Sequence, residues 1–287
     1  MAIITKDILK TLYPVRPAEV KKYDFGLVLV IGGGEFYTGS PALAALACFR
    51  AGADMVRVVA PKRAADIIAS FSPILAAYPL PNTRLLKTDL PAIISLTQAA
   101  KDVSHGKVSV VIGGGMGRTQ ETQDTILEYL SYADVPMVID ADAIHAAAKN
   151  LDVLKGKSFL LTPNIFELTL LGGKDIRPLS QEERIEEVQT IARNLGITLL
   201  VKAKVDIISD GTDVLLNETG SPYMSIGGAG DTLAGIAGAL LARGVGTMNA
   251  AAGAAYINGK AGELAAKKFK ESLVATDIID AIHEVIK

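Results

Sequence analysis

Six short apolar runs, broken only by Arg57 and Ser109, constrain this chain more than any other feature: Leu27 to Ile31, Met55 to Ala60, Val108 to Ile112, Met137 to Ile139, Phe159 to Leu161 and Leu199 to Val201. A strand with water on one face alternates apolar and polar residues, whereas runs without alternation suit strands covered on both faces. Between most of them lie segments with helical apolar spacing, at Ala42 to Arg50, Thr119 to Tyr132, Ala143 to Lys149 and Gln181 to Leu195. Such an order predicts an α/β fold, a mostly parallel central sheet with helices on both faces. After Val201 the pattern changes. Asp206 to Ser209, a turn at Asp210 and Gly211, and Asp213 to Asn217 read as a β-hairpin in the C-terminal part. Helices over Gly230 to Arg243 and Met248 to Lys267, and a short one after Thr276, complete the chain. No Pro/Gly/Ser-rich linker, charge block or repeat divides it, so residues 1–287 read as one domain.

Composition narrows the function. A hydrophobic share of 49% with 21% charged residues describes a chain with a large buried core, and a net charge of −2 excludes a strongly basic nucleic-acid binder. The single cysteine, Cys48, permits no internal disulfide, and His105, His145 and His283 form no zinc-ligand spacing with it. No apolar run reaches membrane length, so the expectation is a cytoplasmic protein, neither secreted nor membrane-bound.

In open α/β sheets ligands bind beyond the carboxyl ends of the strands. The turns there are Gly32 to Ser40, Gly113 to Gly117, Asp140 to Asp142, Thr162 to Glu167, and Gly227 to Asp231. The last is the most informative. Its glycines allow close backbone approach to a ligand, and the helix that follows presents free N–H groups and a positive dipole end, which makes a phosphate site. Asp231 would repel phosphate, but phosphoryl transfer needs a base for the accepting hydroxyl; the plainer reading makes Asp231 a helix cap. Asp140 and Asp142, two apart at a strand end, can face one side and hold magnesium or a hydroxyl-rich ligand, with Asp142 alternatively an N-cap. Asn164 and Glu167 have capping-box spacing. Lys202 and Lys204 can attract phosphates or stay solvated. Cys48 reads as a core residue, and His145 and His283 have no role. No P-loop and no complete GxGxxG fingerprint occurs.

Taken together, YTGSPALAALACFRAGADMVRV (Tyr37 to Val58), VVIGGGMGR (Val110 to Arg118), VIDADAI (Val138 to Ile144), LTPNIFEL (Leu161 to Leu168), VKAKVDIISDG (Val201 to Gly211) and GGAGDTLAG (Gly227 to Gly235) resemble, in order, the ADP/ATP-dependent NAD(P)H-hydrate dehydratases of the ribokinase-like superfamily. The resemblance implies a repair enzyme that phosphorylates the C6 hydroxyl of hydrated NADH or NADPH with ADP or ATP, as a Mg2+ complex, and expels phosphate. It implies Asp231 as catalytic base; Ser40, Gly115, Gly117, Asp140, Asn164 and Asp231 at the hydrate; and Lys202, Ala203, Lys204, Val205, Asp206, Gly228 and Gly230 at the nucleotide. It also implies a homo-oligomer such as a tetramer, and a separate epimerase acting on the same metabolite. The chain departs from the family pattern at Asn164, where His is usual, at Gly114 for Pro and at Ala229 for Thr. The alternatives are a kinase of the same superfamily acting on a vitamin-precursor alcohol of the hydroxymethylpyrimidine or hydroxyethylthiazole type, and a nucleotide sensor without turnover.

Overall fold

The computed structural model describes residues 1–287. Its strands are β1 (Ala2–Ile3), β2 (Leu27–Ile31), β3 (Met55–Pro61), β4 (Ala76–Leu80), β5 (Val108–Ile112), β6 (Met137–Ile139), β7 (Phe159–Leu161), β8 (Thr198–Val201), β9 (Asp206–Ser209) and β10 (Val214–Asn217). All ten lie in one sheet, ordered β1-β10-β9-β8-β7-β6-β5-β2-β3-β4. From β4 to β8 every neighbour pair is parallel; β9 runs antiparallel to β8 and β10, and β1 joins β10 in parallel.

Successive residues of a strand face opposite sides, and here both sides are covered. Val28, Val30, Val58, Val111, Val138 and Leu160 pack on one face against α2 (Ser40–Arg50), α9 (Ala229–Ala242), α10 (Thr247–Phe269) and α11 (Ala275–Val285). Leu27, Leu29, Ile31, Ile112, Ile139 and Leu161 pack on the other against α4 (Leu90–Val103), α5 (Gln120–Tyr132), α6 (Asp142–Ala147) and α8 (Gln181–Leu195). This double burial is why the runs carry no alternation. Close seating of α9 requires Gly235 and Gly238, since a Cβ would strike Ala44 O at the first and Val111 at the second.

Several elements lie outside the sequence expectation: β1, β4, α1 (Ile8–Leu12), α3 (Lys62–Phe71) and α4. β4 is an edge strand whose Ala76, Tyr78 and Pro79 are exposed, so it has no apolar run, and Pro is tolerated there because an edge N–H needs no partner. The two residues of β1 carry no periodicity at all.

The chain leaves β2 toward β3 and β4, then returns to place β5 on the other side of β2. The loops after β2 and β5 therefore diverge, opening a crevice at this switch point. The glycine turns meet across it, with Gly33 N–H donating to Gly114 O at 2.8 Å.

Candidate active site

The first turn of α9 borders this crevice. Gly228 is its N-cap, in the left-handed region with φ 94°, and no side chain caps the helix. The first intrahelical donor is Thr232 N–H, to Gly228 O, so the amides of Ala229, Gly230 and Asp231 remain free at the positive end of the dipole. Asp231 is not a cap. Its Oδ2 accepts from Ser40 Oγ at 2.8 Å, and its Oδ1 stands 2.8 Å from where a Cβ on Gly114 would lie. Gly114 thus borders the site: in this arrangement a Cβ there would oblige the Asp231 carboxylate to shift.

Burial raises the Asp231 carboxyl to about 7; the Ser40 hydrogen bond opposes this, nearby Asp140 adds to it and Lys202 opposes it. A carboxylate in this range can accept and release a proton near neutral pH, as a general base must.

Asp140, at the exit of β6, is buried. Its Oδ1 accepts from Thr162 Oγ1 at 2.7 Å and from Lys202 Nζ at 2.9 Å. Lys202 follows β8; its N–H donates to Pro163 O at 2.9 Å, which extends the parallel pairing of β7 and β8 by one bridge, Asn164 with Lys202. Burial lowers the Lys202 pKa, but the charge and hydrogen bond of Asp140, with Glu167 and Asp231 nearby, outweigh it and leave the pKa raised. Its Nζ would lie 3.5 Å from a Cβ on Gly230, so this cation faces the free amides of α9.

The expectation that Asp140 and Asp142 face one side is corrected. Ala141 sits between them with φ 47° and ψ −121°, a backbone region non-glycine residues rarely adopt, and the two side chains part. Asp142 accepts from Gly117 N–H at 2.8 Å and Arg118 Nε at 2.7 Å. Nor is it an N-cap, since Ala141 holds that position. Gly117 therefore spends its amide on Asp142 at the start of α6, while Gly115, with φ 69°, packs against Tyr37. Asn164 and Glu167 form the reciprocal capping box of α7 (Ile165–Leu170), each bond 2.9 Å, which leaves only the side-chain amide N–H groups of Asn164 for a ligand. Asp206 accepts from Ala203 N–H at 3.0 Å and Asn217 Nδ2 at 2.9 Å, closing the turn that carries exposed Lys204 and half-buried Val205; burial raises its pKa against those two bonds.

Sequence reasoning placed Thr162 and Gly114 in ligand-facing turns without giving either a side-chain or spacing role there, and did not reach Asn258, whose Oδ1 accepts from Thr232 Oγ1 at 2.6 Å and whose Nδ2 donates to Ala229 O at 3.3 Å. The signal that found Asp231, glycines before a helix, says nothing about partners on other elements. No group of three His, Cys, Asp or Glu side chains converges to cage a metal ion, and no helix is long and apolar enough to cross a membrane.

Comparison with known proteins adds an independent line. The family model described as NAD(P)H-hydrate dehydratase matches residues 28–284. The chain is 33% identical over 285 residues to the ADP-dependent (S)-NAD(P)H-hydrate dehydratase of Cenarchaeum symbiosum, covering 99% of this chain and 96% of that protein. It is 38% identical over 274 residues to the bifunctional NAD(P)H-hydrate repair enzyme of Pyrobaculum aerophilum, covering 95% of this chain but only 52% of that protein, so it spans about half the length of the bifunctional relative. Among solved structures, an ADP/ATP-dependent NAD(P)H-hydrate dehydratase from Bacillus subtilis, co-crystallized with ATP/Mg2+, superposes with a TM-score of 0.77 at 22% identity, covering 98% of this chain and 96% of that one, and shows the shared ribokinase-like fold.

Proposed function

The chain belongs to the NAD(P)H-hydrate dehydratase family, and from that premise we propose that it returns hydrated NADH or NADPH to the reduced cofactor at the expense of ADP or ATP. The observation that carries the reading is the first turn of α9, where a carboxyl with pKa raised to about 7 stands beside three free amides. Hydroxide is a poor leaving group and phosphate a good one. Asp231 takes the proton of the C6 hydroxyl as the oxygen attacks the terminal phosphoryl group; the amides of Ala229 and Gly230 and the Lys202 ammonium offset the charge that develops there. The ring nitrogen then expels phosphate.

Ser40, Gly115, Asp140 and Asn164 border the hydrate, with Gly117 shaping that wall through Asp142. Lys202, Ala203, Lys204, Val205 and Asp206 line the nucleotide, whose phosphates reach Gly228 and Gly230. Mg2+ would enter with the nucleotide substrate, its ligands drawn mainly from phosphate oxygens and water. We place the enzyme in the cytoplasm as a homo-oligomer, with residues 1–287 one domain.

The test mixes purified protein, NADH hydrate, magnesium and either nucleotide, and follows the absorbance of the reduced nicotinamide. Nucleotide-dependent recovery is expected, and the better nucleotide names the donor. A stable phosphate ester of a small alcohol, with no recovery from hydrate, would replace this reading with a vitamin-precursor kinase.

A further inference from the structure

Dehydration contains a second proton transfer. The hydrate carries its hydroxyl on C6 and two hydrogens on C5, and restoring the C5=C6 double bond requires one of those hydrogens to leave as a proton. Resting on the functional reading above, we propose that Asp140 is the base that takes the C5 proton once the C6 oxygen has been phosphorylated, so that two carboxylates act in succession.

C5 and C6 are bonded neighbours, so their two bases must border one crevice. Beneath the first turn of α9 a cavity with room for about one water molecule is lined by Ser40, Gly114, Asp140 and Asp231 among apolar residues, so the two carboxylates meet at the base of the crevice. They enter from different elements, Asp231 from α9 and Asp140 from the end of β6. Asp140 is 4% exposed, and both of its hydrogen bonds fall on Oδ1. Its Oδ2 has no protein donor, and this oxygen lies 3.9 Å from where a Cβ on Gly230 would stand. This oxygen is not among the buried atoms left without a partner, so it is open to a ligand or to water on the side of the α9 turn. The carboxylate is also held stiffly, by Thr162, by Lys202 and by the left-handed backbone of Ala141 beside it.

The step balances. The C6–O bond breaks and its electron pair leaves with phosphate, while the N1 lone pair forms N1=C6. The C5–H bond then breaks: its proton passes to Asp140 Oδ2, its electron pair forms C5=C6, and the N1 lone pair is restored. Asp140 gives the proton to the departing phosphate, which ends as hydrogen phosphate. No oxidant or reductant is consumed. Lys202 faces both Asp140 and the amides of α9, so phosphate bound there competes for its ammonium and frees Asp140 from one hydrogen bond when it must accept a proton.

Asp140→Asn tests this, because the amide oxygen can still accept from Thr162 and Lys202. Full-length protein is given magnesium, the nucleotide that supports wild-type turnover, and NADH hydrate with hydrogen or deuterium at both C5 positions. Release of the spent nucleotide reports phosphoryl transfer, and nicotinamide absorbance reports elimination. In the variant, absorbance recovery should slow by about 10²-fold, and at least about tenfold more than first-turnover nucleotide release, with accumulation of phosphorylated hydrate and a deuterium effect of about 2 or more. Equal slowing of both signals overturns the proposal; so does unchanged recovery, which assigns the C5 proton to the leaving phosphate itself. If that variant does not fold, Thr162→Val removes one of the two bonds to Oδ1 and should slow recovery more than nucleotide release, and equal effects again overturn the assignment. Failure of the wild type to recover absorbance with either nucleotide overturns the functional reading instead, before any variant is made.

Discussion

The two ends of α9 carry charged side chains in opposite conditions. At its first turn the amides of Ala229, Gly230 and Asp231 have no acceptor and Asp231 carries a raised pKa. At its last, the C-cap Arg243 donates from Nη1 to Gly52 O at 3.1 Å and from Nη2 to Leu12 O at 3.2 Å, with its guanidinium 4.9 Å from the Tyr13 ring centroid and 4.8 Å from that of Phe25. Arg16 stacks on Phe25 at 3.8 Å and reaches Asp54 at 3.3 Å, and Asp54 in turn accepts from Phe25 N–H at 2.9 Å. Five ionisable or aromatic side chains there hold one another and the ends of α1 and α2. Charge density alone does not mark a site. Hydrogen-bonding capacity left in reserve marks one only where a ligand can take it up: Arg243 Nε also lacks a partner, but it is buried within the clamp, whereas the amides of the first turn border the crevice.

The largest effect should follow from removing the base. Asp231→Asn keeps size and the bond to Ser40, so nucleotide binding should stay near wild type while turnover falls by about 10² or more; wild-type turnover in the variant would remove the role given to Asp231. Wild-type kcat/KM should rise with pH through a limb near 7, where burial has placed this carboxyl. The same shift has a stability cost with a definite sign. A raised carboxyl pKa means the folded protein holds a proton that the unfolded chain has released, so that stabilisation is complete below the ordinary carboxylate pKa and lost as pH rises through about 7. In thermal melts Asp231→Asn should therefore gain on the wild type between about pH 4.5 and about pH 8. A constant difference would mean that the carboxylate is not desolvated.

Next comes the cradle. Gly230 has no left-handed φ, which belongs to Gly228, and a Cβ on Gly230 would make only ordinary contact with Lys202 Nζ at 3.5 Å. Gly230→Val should fold, yet its branched side chain would stand between the amides and Lys202, raising the nucleotide KM by about tenfold. An unchanged KM would show that phosphate does not approach this turn. Gly230→Ala should have a smaller effect of the same sign.

Much of this was legible in the sequence because it is periodic or local. Apolar runs buried on both faces, the hairpin, the Asn164/Glu167 capping box and the glycines before Asp231 all lie within a few residues of one another. What was not legible is pairwise and distant. Ser40 and Asp231 are 191 residues apart and Asp140 and Lys202 are 62, and only the sheet order brings them together. The reading of Asp140 and Asp142 as one pair failed for a local reason that no spacing reveals. Backbone strain at Ala141 turns neighbouring carboxylates apart, giving one to the crevice and the other to the Gly117 loop.

The smallest catalytic effect should come from the other end of α9. Arg243→Met keeps length and apolar contact with Tyr13 and Phe25 but removes both hydrogen bonds, leaving Leu12 O without its side-chain donor. Net loss of charged hydrogen bonds to buried carbonyls, with loss of a cation at a helix C-terminus, should cost about 2 kcal/mol of stability, seen as a lower denaturant midpoint. Turnover and nucleotide KM should stay within about twofold of wild type, because every group Arg243 touches is already satisfied within the fold. A fall in turnover approaching that of Asp231→Asn would break the comparison. It would mean that the clamp on the last turn sets the position of the first, and that α9 transmits its anchoring along its length to the amides and carboxylate at its head.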